Sequence, residues 1–170
     1  MRLALSLLAV LATGPSCTSG APAGDVTPVT VLDERAFAAL LANPDGGLLV
    51  VNLFATWCSA CRGELPAIDR FSKSETDLRF AAVSLDEAGK TADVQVYATT
   101  LRLGLPVYHL SVDDPVGAVG RHLDVFNGGI PVTVVLGKDG RVHASHMGRV
   151  LENDLERLVS QARTAAGTSG

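Results

Sequence analysis

The chain has 170 residues, 47% of them apolar and 19% charged, enough hydrophobic material for one domain with a real core and too few residues for two large ones. Eighteen acidic and fourteen basic residues leave a formal charge of −4 with no long run of either sign, so the chain carries no electrostatic footprint for a nucleic-acid backbone. Global disorder and a small disulfide-stapled scaffold are excluded on the same composition, and protein or small-molecule partners are expected.

Residues 1–16 read as an export signal: Arg2 supplies the positive end, and Leu3 to Ala12 is apolar but for Ser6. That run falls well short of the roughly 20 residues that span a bilayer. Cys17 follows Gly14, Pro15 and Ser16, in a segment that partly resembles the lipobox of bacterial lipoproteins, with Gly14 where an aliphatic residue is usual. Lipid attachment at Cys17 is the expectation, since a third cysteine in an exported chain calls for an explanation. Cleavage after Ala23, within the A-x-A spacing of Ala21, Pro22 and Ala23, is the alternative. Residues 17–28 are mostly Gly, Ala, Pro, Ser and Thr and form a flexible linker.

The domain spans 29–166, and in it strand-like and helix-like segments alternate, the pattern of an α/β sheet. Val29–Leu32 is a short strand, and Asp33 caps a helix carrying Phe37, Leu40 and Leu41. Leu48–Phe54, nearly continuous in β-branched and aliphatic residues, is the sheet centre. A helix from Ser59 to about Lys73 buries Leu65, Ile68 and Phe71 and is expected to bend at Pro66. Arg79–Leu85 is a strand, Thr91–Leu103 a helix, Pro106–Leu110 a strand, and Pro115–His122 a helix with proline in its first turn. Val132–Leu136 and Arg141–Met147 flank the turn residues Lys138, Asp139 and Gly140. A closing helix presents Leu151, Leu155, Leu158 and Val159, and residues 167–170 are a polar tail.

The chemistry lies in Trp57-Cys58-Ser59-Ala60-Cys61, where a buried strand gives way to a helix. Residues three apart at a helix start share a face, so a disulfide closes between them with little backbone movement. At the helix N-terminus, unpaired N–H groups and the dipole favour a thiolate, which makes Cys58 the expected nucleophile. Cys61, one turn deeper, is expected to attack the mixed disulfide and release the partner. A zinc site is disfavoured, because Cys17 is remote and His143 and His146 have a two-residue gap. No metal or other cofactor is expected. An inert disulfide is disfavoured because so short a loop constrains little, and copper chaperoning because it calls for a longer cysteine gap and a paired histidine.

Around this motif the chain resembles the thioredoxin superfamily, and within it the exported TlpA/ResA-like thiol-disulfide oxidoreductases. The resemblance rests on Val51-Asn52-Leu53-Phe54-Ala55-Thr56-Trp57-Cys58, Cys61-Arg62-Gly63-Glu64-Leu65-Pro66, Gly129-Ile130-Pro131-Val132-Thr133 and Lys138-Asp139-Gly140-Arg141-Val142, in family order. It implies a thioredoxin fold, a central mixed sheet flanked by helices, with a TlpA/ResA-type helix-strand insertion between Thr91 and Leu110. It also implies that Pro131 is a cis-proline facing the disulfide and that Ile130 offers backbone groups to the substrate chain. Glu64, three residues after Cys61, is placed where ResA-like members carry a functional glutamate that moves protons. Asn52 stands where many thioredoxins have a buried acid, and is read as a hydrogen-bonded core residue. Trp57 is expected to pack beside the site and shape access to Cys58. His109, His122, His143 and His146 show no ligand spacing and read as ordinary histidines.

The implied activity is dithiol exchange with cysteines of other exported proteins, in the reducing direction. The example is apocytochrome c during cytochrome c maturation, with electrons from a membrane thiol carrier of the CcdA or DsbD type. The implied location is periplasmic or extracytoplasmic, with membrane contact only through the lipid anchor. A redox-inert peptide-binding adaptor and a peroxide-reducing relative are the alternatives.

Overall fold

The computed structural model describes residues 28–167. The export signal, Cys17, Ala23, the linker apart from Pro28 and the last three residues lie outside the described residues. In chain order the elements are β1 (Thr30–Leu32), α1 (Glu34–Leu41), β2 (Leu48–Phe54), α2 (Ser59–Ser74), β3 (Leu78–Ser84), α3 (Thr91–Thr100), β4 (Val107–Leu110), α4 (Pro115–His122), β5 (Val132–Leu136), β6 (Val142–Met147) and α5 (Glu152–Gly167).

The strands form one mixed sheet in the order β1-β4-β3-β2-β5-β6. β1, β4, β3 and β2 pair in parallel, and β5 and β6 join antiparallel. β2 is interior, with Leu49 to Phe54 all buried, as its apolar run, interrupted only by Asn52, demands. From β2 to β3 and from β3 to β4 the chain steps in one direction, so right-handed crossovers place α2 and α3 on one face. Their buried residues, among them Leu65, Ile68, Val94 and Tyr97, share a cluster with Leu155, Leu158 and Val159 of α5. Phe37 of α1 with Ala118 and Val119 of α4 covers the other face. This is the thioredoxin arrangement, with α3 and β4 as the inserted pair.

The expected elements are all present, with shifted ends. Helix α1 starts where expected, the Asp33 carboxylate accepting from the Ala36 N–H at 2.7 Å. Helix α2 runs unbroken through Pro66. Helix α3 stops at Thr100 rather than Leu103. The Arg102 N–H donates to the Thr99 carbonyl and the Leu103 N–H to that of Ala98, a Schellman closure with Arg102 left-handed at φ 53°. That turn swings Leu103 into the core. Helix α5 carries on through Gly167, one residue past the expected boundary. The hairpin between β5 and β6 needs Gly140 at φ +70°, where a Cβ would also meet Ala42 Cα and the Leu41 carbonyl oxygen at 3.1 Å.

One buried carboxylate ties the active-site helix to the insertion. Asp69 on α2 accepts from the backbone N–H groups of Gly104 and Leu105 at 2.7 and 2.8 Å and from Lys73 Nζ at 2.6 Å. Asp69→Ala removes an acceptor from two backbone donors, so urea unfolding is expected to show a loss of about 2–3 kcal/mol, with the midpoint lowered and the slope unchanged. A cost below about 0.5 kcal/mol would show that the loop does not depend on this carboxylate.

Candidate active site

Strand β2 ends at Phe54, and the Cys58 N–H donates to the Ala55 carbonyl at 3.1 Å, closing a turn with Thr56 and Trp57 at its corners. Thr56 is drawn inward, because its N–H and hydroxyl donate to Asp86 at 3.0 and 2.6 Å. Asp86, just beyond β3, also accepts from the Ser84 hydroxyl, so the end of a neighbouring strand shapes the active-site loop. Trp57 takes the outer corner and is 72% exposed. The turn presents the indole to solvent at the mouth of the site, directly before Cys58 in the chain.

Cys58 is the N-cap of α2, and its Sγ accepts from the Cys61 N–H at 3.2 Å. The two cysteines are joined, with Cα atoms 5.4 Å apart. Cys58 retains 8% exposure and Cys61 none. The outer sulfur thus sits where the helix dipole and a directed N–H favour negative charge, while the inner one is enclosed. The Ile130–Pro131 peptide is cis, and the Pro131 carbonyl accepts from the Gly148 N–H at 2.8 Å.

Behind Cys61, Glu64 is fully buried. Its Oε1 accepts from Asn52 Nδ2 at 2.8 Å and its Oε2 from the Val150 N–H at 2.7 Å. Burial pushes its carboxyl up to about 7, outweighing the Val150 N–H, the Asn52 amide and the Arg149 guanidinium, all of which favour the carboxylate. Asn52 also donates to Thr133 Oγ1 at 3.0 Å, bridging β2 and β5. The expectation that Asn52 is satisfied holds for only half of the amide. Both its donors are used, but Oδ1 has no partner, since the bonds from Nδ2 run to acceptors on Glu64 and Thr133.

His109 is buried between the Thr91 hydroxyl at 2.8 Å and the Asp86 carbonyl at 3.2 Å, an ordinary core histidine. His122 lies beside Glu34 and His143 beside Asp139, both away from the cysteines in the fold. Thr56, Asp86, Thr133 and the Val150 N–H were not legible as site groups. Their roles depend on partners 30 to 86 residues away in the chain, a separation no local motif encodes.

Known proteins agree with this geometry. The Redoxin family profile matches residues 19–161. The thioredoxin-like protein YneN of Bacillus subtilis is 27% identical over 140 residues, covering 81% of this chain and 76% of its own. Thioredoxin-1 of Schizosaccharomyces pombe is 38% identical over a shorter stretch, 36% of this chain and 58% of its own. Among solved structures, a thioredoxin-related protein from Neisseria meningitidis serogroup B superposes with a TM-score of 0.62 at 24% identity, covering 70% of this chain and 87% of its own. A thiol:disulfide interchange protein of Chlorobium tepidum does so with a TM-score of 0.57 at 26% identity, covering 74% and 83%. With a cysteine pair closed across the first turn of α2 and a family match over most of its length, the chain belongs to the redoxin family as a thiol-disulfide oxidoreductase of thioredoxin fold.

Proposed function

We propose that the protein works outside the cytoplasm as a reductant of disulfides in other exported proteins. The observation that carries this reading is Glu64, a buried carboxyl with its proton balance near neutrality, one helical turn behind the enclosed Cys61. In the reducing direction the Cys58 thiolate attacks a substrate disulfide, forming a mixed disulfide and expelling one substrate thiolate. Cys61 then gives its proton to the Glu64 carboxylate and attacks Cys58 Sγ. The second substrate thiolate leaves, and two electrons have passed to the substrate as the Cys58–Cys61 bond forms. Beside Cys58, the backbone at Ile130 and cis-Pro131 pairs with the extended substrate chain, and Trp57 guards the approach.

Apocytochrome c, whose haem-attachment cysteines must be reduced, is the proposed substrate, with a membrane thiol carrier of the CcdA or DsbD type as electron donor. Export rests on Arg2 and the Leu3 to Ala12 run, and anchoring on lipidation of Cys17. No described helix is long and apolar enough to cross a membrane.

The test is the equilibrium reduction potential of the Cys58–Cys61 couple, titrated against glutathione or dithiothreitol with fluorescence of Trp57, the one tryptophan, as readout. A value well below about −200 mV is expected. One near about −120 mV, in the range of strong oxidants, would make the protein a disulfide donor instead.

A further inference from the structure

The segment that leads into the substrate-pairing residues carries a reactive pair that disulfide exchange does not use. Between Phe126 and β5 the chain runs Asn127-Gly128-Gly129-Ile130-Pro131, and the first three of these are exposed. The Asn127 Oδ1 accepts from the Gly129 N–H at 3.1 Å, which folds the side chain back over its own backbone. The Gly128 N–H and the Asn127 Nδ2 make no hydrogen bond among the described residues. Gly128 sits at φ +92°, with no side chain to shield its nitrogen. An unpaired amide nitrogen therefore lies beside an exposed carboxamide carbon, the arrangement in which an asparagine cyclises.

The other asparagines lack it. Asn43 precedes Pro44, which has no N–H. Asn52 is buried in β2 with its amide donating to Glu64 and Thr133. Asn153 stands in the first turn of α5, where the following N–H, that of Asp154, donates to the Leu151 carbonyl at 3.0 Å.

We propose that Asn127 is a site of spontaneous deamidation, and that its isoaspartyl product weakens engagement of polypeptide substrates without altering the dithiol. The Gly128 nitrogen attacks Asn127 Cγ. The N–Cγ bond forms and the Cγ–Nδ2 bond breaks, and the Gly128 amide proton passes through solvent to the departing ammonia. Water then opens the cyclic imide at either carbonyl, giving aspartate or isoaspartate with no change of oxidation state. In the isoaspartyl form the main chain passes through Cβ and Cγ, so it is longer by one bond, about 1.5 Å, and carries a new carboxylate. Phe126 is held on one side, buried with its N–H on the Leu123 carbonyl at 2.9 Å, and Val132 on the other, paired in β5. The added length has to be taken up between them, where Ile130 and Pro131 meet the substrate chain. Formation of the product is independent of the reductase reading, while its effect on catalysis rests on the strand pairing that reading places at Ile130.

The full chain would be aged in warm, mildly alkaline buffer, and the tryptic peptide 122–138, in which Asn127 is the one side-chain amide, followed by mass spectrometry and chromatography. Conversion is expected at Asn127 well before the peptides holding Asn52 and Asn153 change, with isoaspartate among the products. Aged protein should lose kcat/KM on insulin by about tenfold and keep both its rate on glutathione disulfide and its reduction potential. Asn127→Ser, which keeps a short acceptor for the Gly129 N–H and has no amide, should hold its insulin rate through the same ageing. Freshly prepared Asn127→Asp, which carries the charge without the longer main chain, should stay close to the unaged protein. No conversion at Asn127, conversion that leaves the insulin rate unchanged, a fall shared by Asn127→Ser or matched by fresh Asn127→Asp, or a fall on glutathione disulfide as well overturns the proposal while leaving disulfide exchange standing. Unaged protein inert toward insulin overturns the exchange reading and the effect on catalysis together.

Discussion

Cys61→Ala is expected to trap the protein on its substrates. Cys58 stays at the N-cap of α2 with its dipole and a directed N–H, so its attack on a disulfide is retained. The thiol that resolves the mixed disulfide is gone, and turnover on a protein disulfide should fall by about 10³-fold or more while stable adducts accumulate on non-reducing gels. Cys58→Ala should abolish turnover and adducts alike, because the remaining sulfur is enclosed, with no exposure against 8% for Cys58. Adducts that form with Cys58→Ala and not with Cys61→Ala would exchange the two roles. The adducts captured from Cys61→Ala also identify the substrates directly, so apocytochrome c should be among them if the proposed function holds.

Glu64→Gln is expected to remove a pH dependence from both stability and resolution. The folded protein holds the Glu64 proton up to about pH 7, whereas the unfolded chain releases it near the ordinary value of 4.5. Between those values the folded state binds the extra proton, so stability is full below about 4.5 and declines as pH rises through about 7, by roughly 3 kcal/mol in all. Urea midpoints of the oxidised protein across that range should show the decline, and Glu64→Gln should flatten it and be the more stable protein at pH 8. The same variant should resolve mixed disulfides about 10²-fold more slowly and lose an inflection near pH 7 from its rate profile. A substitution that flattens the stability curve while leaving the rate profile intact would make Glu64 a structural group alone.

The order of elements was legible because each rests on a local rule. The apolar run of Leu48–Phe54 demands burial on both faces, Asp33 caps a helix, and Cys58 and Cys61 share a face by helical spacing. Element ends were less legible, as at α3, where a Schellman closure at a non-glycine residue, Arg102, ends the helix before its apolar pattern does. How far Trp57 stands out into solvent was not legible, because no local rule fixes the turn that carries it. Its exposure follows from Asp86 fixing Thr56 inward, a tertiary fact. Asn52 read as satisfied because buried amides usually are, and its orphan oxygen emerges only when both neighbours prove to be acceptors.

By itself the sequence determined that a dithiol sits at a helix start in an α/β sheet, since strand burial, helix periodicity and two-residue cysteine spacing are properties of short segments, while the thioredoxin type of that sheet was implied by the family resemblance. Only the tertiary structure decided how that dithiol is poised. The Val150 N–H and Asn52 reach Glu64 from β6's exit loop and from β2, enclosing a carboxyl that would otherwise be an ordinary helix charge. Arg62 and Tyr97 meet only because α3 packs against the active-site helix. Desolvation and charge pairing depend on what surrounds a group in space, and here those surroundings come from segments far apart in the chain.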